Sequence, residues 1–470
     1  MSTTFELFPT PTLISTPNCP IPFPGTSPDS TEALKAVLRD NHERYHVFFN
    51  DKGFHNHLAH RAIAVWALGG SKDVIRKTFE VDSKIQRPRF DSPEKITRDN
   101  FGEHLGDEKY YDSYVDYFLQ CLRNKSAVDV LEEHVFSPSM NVHSGGGPGE
   151  DLQMLCRFVD GLVHPMIHVG YGIEFGLPGI LAEGLSQTAL HGAFLSRVVP
   201  PSLFASNPSD DSQDISIGTG TASLHAFSVL ARIMKDDTIR LPAVPDTYRE
   251  ALGYIMENHS SIILKLIAEW SQFDASDAKL LQQKVKELMW TNALLYGVSG
   301  YCSGKVDGTF NADFFVMHLV TSSIFLPTLV LSLKPASGKL LLRAYFAVSL
   351  ATWIARGKSK LDVAGFFSSP MPVMNLSGSG SPTGNPWYGI IDHSLEHWDD
   401  HLVKTQRALA HCASLYGSKK AGGESFSGIE LEGAEAIDGT LFLRAAALTA
   451  IRVVEHEGKA ECWDRVGYFD

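Results

Sequence analysis

The chain has 470 residues, 44% hydrophobic and 20% charged, and a formal net charge of −13. That length can bury a large core, while the acidic balance excludes a nucleic-acid or anionic-membrane surface, which would need a basic stripe. Six scattered cysteines (Cys19, Cys121, Cys156, Cys302, Cys412 and Cys462) contain no C-x-x-C pair, which excludes a zinc ribbon or thioredoxin-type motif and gives no sign of a disulfide framework.

Residues 1–30 are rich in Pro and Ser, with neither the basic nor the apolar region of a secretory signal, and read as an extended arm of a cytoplasmic protein. Residues 31–470 read as one all-α unit, a single large multi-helix bundle with long surface loops. Ser30 or Thr31 is expected to cap a helix running to about Phe48. Asn56 caps the next, His57–Leu68, which Gly69-Gly70 ends. A long helix begins near Gly149–Asp151 and is kinked or divided by Pro165. Further helical windows follow at Ile180–Val198, Tyr248–Phe273, Ser276–Tyr296, Asn311–Leu333, Lys339–Ala355, His397–Tyr416 and Thr440–Val454. Loops rich in Gly, Ser and Pro are expected at Asn141–Gly149, Pro200–Ile215, Phe366–Pro386 and Ser418–Gly428. Phe314–Leu333 and Leu340–Ala355 are apolar enough to imitate a membrane hairpin. The polar residues inside them (His318, Thr321, Ser322, Ser323, Arg343) suit buried core helices better, so no membrane is expected as a partner.

Strand signals are few, and no βαβ alternation occurs. IGTGTAS (Ile217–Ser223) and LSGSGSPTG (Leu376–Gly384) approach a dinucleotide fingerprint but lack the strand before and the helix after, so both are linkers. Neither a Walker A sequence nor a G-x-S-x-G elbow is present. HWDDH (His397–His401) has the histidine spacing of a zinc-protease helix, yet Trp398 stands where the catalytic Glu belongs.

Six histidines on four mostly apolar stretches carry the chemistry: His57 and His60, His164 and His168, His318, and His401. A buried imidazole without a partner costs about 1–3 kcal/mol. Several helices that each carry one inward are most economically explained by a shared metal. His57 and His60 lie on a first helical turn, where the helix dipole disfavours protonation. His397, His401, Lys404, Ala408 and His411 form one stripe at helical spacing. Lys404 either pairs with Asp400 or, buried beside a metal as a neutral amine, captures carbon dioxide to give an anionic carbamate ligand. No acidic ligand is obvious otherwise. Imidazole-rich binding suits Fe(II), Zn(II), Cu(II) or Ni(II). Thr321, one turn from His318, suits a contact to substrate or to a ligand.

The motifs FFNDKGFHNHLAH (Phe48–His60), HPMIHVGYGIEF (His164–Phe175), DFFVMHLVTSSIFLP (Asp313–Pro327), DDHLVKTQRAL (Asp399–Leu409) and LFLRAAALTA (Leu441–Ala450) resemble the fungal questin oxidase-like proteins, from about residue 40 onward. The resemblance implies oxygen-dependent ring opening of polyketide anthraquinones or related polycyclic phenols. It implies either a non-haem Fe(II) dioxygenase held by four histidines and a carboxylated lysine, or a Baeyer–Villiger oxidase using NADPH. The chain departs from the family's pattern at Arg61, where another histidine is more usual. The expectation is therefore iron held by about four of His57, His164, His168, His318 and His401 with Lys404. His60 is the expected base, Thr321 positions substrate or dioxygen, and Tyr171 and Phe325 stack on a flat substrate. A homodimer is compatible with this reading, and a non-catalytic protein binding a hydrophobic metabolite is the alternative of another class.

Overall fold

The computed structural model describes the chain apart from residues 1–4, 15, 17, 143–150, 205–222, 304–308, 373–383, 424, 425, 427, 455–461 and 470. Most of the expected glycine-rich loops, with 217–222 and 376–383 of the two fingerprint-like segments, lie outside the described residues.

Helices dominate, as expected, and among the described residues β-structure amounts to isolated bridges. In chain order the α-helices are α1 (Pro28–Arg44), α2 (Leu58–Ala67), α3 (Lys72–Asp82), α4 (Tyr111–Asn124), α5 (Ala127–His134), α6 (Met154–Phe175), α7 (Pro178–Leu190), α8 (Ala226–Lys235) and α9 (Tyr248–Trp270). They continue with α10 (Ala278–Ser303), α11 (Phe314–Ser323), α12 (Leu326–Ser332), α13 (Pro335–Ala355), α14 (Val363–Ser368), α15 (Pro386–Glu396), α16 (Asp400–Tyr416) and α17 (Thr440–Val454). The four that carry the histidines pack as a closed ring, α2 on α16, α16 on α11, α11 on α6 and α6 on α2. Helices α10, α13 and α17 close over them from outside. The arm is tied down rather than loose: Thr12 N donates to Phe175 O at 2.9 Å, Gly179 N donates to Leu7 O at 2.9 Å, and Phe8 is buried.

Local chemistry moves several boundaries. Ser27, not Ser30 or Thr31, caps α1; Ser27 and Ser30 form a reciprocal capping box with Pro28 at the first turn. Helix α6 breaks before Pro165 rather than at it. Asp160 is extended and Gly161, Leu162 and Val163 are left-handed, with φ of 56°, 55° and 56°. Gly161 is obligatory, since a Cβ there would lie 2.3 Å from the His191 ring. Pro165 then falls in the first turn of the second half, where its missing N–H removes no helical bond. The expected helix Asn311–Leu333 is two helices, α11 and α12, bent by 44°. Pro327 opens the second. Phe366 belongs to α14, so that loop starts later than expected. Helices α3, α4, α5, α8 and α15, whose patterns mix apolar and charged residues, were not expected.

Among the described residues no single helix is long and apolar enough to cross a membrane; the bent pair α11–α12 passes only when joined. Both are buried in the bundle, as the polar residues within them require.

Candidate metal centre

Each of the four helices brings one imidazole to a common point. His57 caps α2, His164 follows the left-handed break in α6, His318 lies one turn into α11, and His401 is in the first turn of α16. Their rings form a closed circuit, with centroids 5.0 Å apart for His57–His164, 4.9 Å for His164–His318, 5.1 Å for His318–His401 and 4.7 Å for His401–His57. Asp399 sets the last of these by accepting from His401 N at 2.8 Å and Leu402 N at 3.2 Å, and Trp463 Nε1 holds Asp399 at 2.9 Å.

The second nitrogen of each ring decides the chemistry. His164 Nδ1 bonds Gly161 O at 2.7 Å and His318 Nδ1 bonds Phe314 O at 2.7 Å. His57 Nδ1 meets Asp400 Oδ2 at 2.6 Å; His401 Nδ1 lies 3.1 Å from Asp400 Oδ1 but makes no hydrogen bond. An oxygen acceptor requires hydrogen on Nδ1, so a neutral ring presents a bare lone pair at Nε2. The Nε2 atoms of His57 and His164 face each other at 2.9 Å. Those of His318 and His401 are buried without a hydrogen-bond partner. Two opposed lone pairs repel, whereas nitrogens in adjacent positions on one ion at about 2.0–2.1 Å each lie about 3 Å apart. The donor set therefore fits a nitrogen-binding transition metal, with Asp400 orienting the His57 ring from behind. Two overlapping groups have ligand atoms within 4.8 Å of one another, His57–Asp400–His401 and His55–His57–His164.

Electrostatics agree for three of the four rings. Burial, then neighbouring positive charge, lowers His57 to about 4, and burial followed by the other imidazoles pushes His164 and His318 well below the usual histidine range. His401 differs: burial opposes its charge, but Asp400 and Asp399 outweigh burial and raise it. Asp400 stays well below the carboxylate range because His401, Lys404 and His57 overcome its own burial. Lys404 Nζ donates to Asp400 Oδ2 at 3.0 Å. Asp400 is thus the acidic group that the sequence reading found missing from the site.

The remaining candidates surround this circuit. His168 has both nitrogens engaged, Nδ1 with His60 Nε2 at 2.9 Å and Nε2 with Glu183 Oε2 at 3.0 Å. His60 is fully buried, and Tyr171 stacks on it at 5.4 Å with Phe325 edge-on behind at 4.6 Å. Thr321 donates its hydroxyl to His318 O at 3.1 Å. The expected stripe beginning at His397 is broken: His397 is the C-cap of α15, and its Nδ1 accepts from Asp399 N at 3.0 Å. His397 and His401 are therefore not on one helix, which removes the zinc-protease reading. Arg61 bonds Asp82 at 2.8 Å and the carbonyls of His397 and Trp398, pinning the turn that aims α16.

Sequence reasoning missed His55, His191, His42 and Glu183. His55 stacks on His164 at 3.8 Å and meets His191 Nε2 at 2.8 Å. Glu183, a lone acid in the otherwise apolar stretch Gly179–Leu185, was the legible signal.

A model of the questin oxidase-like family matches residues 54–409. The chain is 28% identical over 400 residues to a Baeyer–Villiger oxidase of Pestalotiopsis microspora, covering 83% of this chain and 82% of that one. It is 26% identical over 437 residues to a Baeyer–Villiger oxidase of Pestalotiopsis fici, covering 89% and 87%. It is 27% identical over 399 residues to questin oxidase of Aspergillus fumigatus, covering 82% of each.

Proposed function

The chain belongs to the questin oxidase-like family, and from that premise we propose that this oxidoreductase opens a ring of an anthraquinone- or anthrahydroquinone-type polyketide as a non-haem iron dioxygenase. The observation that carries the reading is the circuit of four imidazoles whose Nε2 lone pairs converge. His57, His164, His318 and His401 would hold Fe(II), and carboxylated Lys404 would add an anionic oxygen. Iron bound there would supply the activation of dioxygen.

The chain's own groups do the rest. Asp400 holds hydrogen on Nδ1 of His57, which keeps the ligating nitrogen bare. His60 is the base that takes a phenolic proton from substrate, in a site dry enough to keep an imidazole neutral. Thr321 keeps its oxygen lone pairs while donating to its own helix, and positions substrate or dioxygen. Tyr171, stacked on His60 with Phe325 edge-on to it, makes the wall on the His60 side of the site aromatic.

Metal content by mass spectrometry, followed by dioxygen uptake on an anthrahydroquinone, tests the reading. One iron per chain and uptake that chelation abolishes are expected; near-zero metal in active protein ends it. The relatives named Baeyer–Villiger oxidases favour a second reading, an NADPH-dependent oxygen insertion. Turnover with NADPH after complete metal removal would select that one.

A further inference from the structure

We infer that Glu183, acting through His168, sets the tautomer of His60 and so makes its Nδ1 the proton acceptor of the site; this deepens the proposed function, since it takes His60 as the base. Three buried hydrogen bonds connect these groups. Glu183 sits in α7 with 1% exposure, its Oε1 2.6 Å from His42 Nδ1 and its Oε2 3.0 Å from His168 Nε2. A carboxylate oxygen only accepts, so both imidazole nitrogens facing it carry hydrogen. Those two bonds outweigh burial and bring Glu183 down to about 2, which keeps it in its accepting form.

The order then passes along the chain. With hydrogen on Nε2, a neutral His168 offers a lone pair at Nδ1. His60 Nε2 lies 2.9 Å from that atom and must donate to it. A neutral imidazole has one N–H, so His60 is left with a bare Nδ1. That atom is buried and has no hydrogen-bond partner. Tyr171 stacked on the ring keeps it from turning. Glu183 and His168 are positioning residues: they reach substrate only through His60, as the buried acid behind a catalytic histidine does elsewhere.

In the transfer a phenolic O–H bond breaks and His60 Nδ1–H forms, leaving a phenolate and a His60 imidazolium. Glu183 stays ionised, and through His168 its charge stabilises that imidazolium; no oxidant is needed.

The test combines spectroscopy and kinetics. In metal-free protein with nitrogen-15-labelled histidine, identified by loss of signal in His60→Gln, the His60 resonances should report unprotonated Nδ1 and protonated Nε2. Glu183→Gln brings an amide that also donates, and it should raise the population with hydrogen on Nδ1. The same variant should lower kcat by about tenfold or more, with KM and iron content held. Protonated Nδ1 in the wild type overturns the inference. So does a Glu183→Gln variant with full turnover, or one whose loss only tracks lost iron or lost folded protein. A wild type without iron would remove the metal reading and leave the tautomer measurement standing.

Discussion

At the residue scale the site is an arrangement of lone pairs. Three ring positions are set by oxygens of the backbone or of a partly buried acid, Gly161 O, Phe314 O and Asp400. Losing such an orienting partner typically costs tenfold to a hundredfold in metal affinity or activity. Asp400→Asn should therefore weaken iron binding by about that factor, as followed by competition with a chelator; unchanged affinity would show that Asp400 does not orient the His57 ring. Lys404→Ala should lose iron and activity together, and a short carboxylic acid added to it should restore part of both. Iron retained at wild-type stoichiometry would remove Lys404 from the ligand set. Thr321→Val should keep iron and change turnover, because the hydroxyl is used by its own helix and not by a ligand nitrogen. Iron loss in that variant would make Thr321 a structural residue. Much of this scale was legible: six of the histidines were singled out by lying in apolar stretches. Their partners were less so, because Asp400 reads as the i,i+4 mate of Lys404 until α2 brings His57 against it.

Helices deliver those residues, and their ends matter more than their middles. His57, His164 and His401 all sit at a cap, just after a break or in a first turn. The break in α6 is the clearest case. Pro165 announced an interruption, but the chain turns at Asp160–Val163, because Asp160 accepts from Gly161 N and Phe194 N at 2.7 Å each. Nothing local to Pro165 reveals a partner 34 residues away. Holding Leu162 and Val163 at positive φ costs about 1–3 kcal/mol each, a strain held next to His164. Gly161→Ala adds a Cβ where the His191 ring lies and should destabilise the fold and release iron. Urea denaturation with parallel metal analysis checks this; a variant with unchanged midpoint and iron would show that the break tolerates a side chain. Helix α17 was read to the residue because its pattern is mostly apolar and rich in Ala and Leu, and Thr440 opens it.

Across the whole molecule, burial of neutral histidines links stability to pH. Burial, then Arg87 nearby, lowers His46 to about 4, and burial, then Arg407, lowers His411 to about 4. The unfolded chain binds these protons near 6.5 and the folded chain does not, so stability rises with pH between those values and falls on acidification. Each such histidine withdraws about 2 kcal/mol by pH 5. Metal-free protein should lose denaturant midpoint steadily from pH 7 to pH 5; a flat profile would mean that both rings titrate in the fold as they do in the unfolded chain. Helical class, the histidine-bearing segments and the family resemblance were set by the sequence, because apolar periodicity and unusual polar residues within it are local properties. Which four imidazoles share a centre, that His168 belongs to Glu183, and that Asp400 stands behind the His57 ring were decided only when α2, α6, α11 and α16 closed into a ring. His57 and His164 are 107 positions apart, and His168 and Glu183, though only 15 apart, lie on different helices, so no spacing along the chain encodes these pairings.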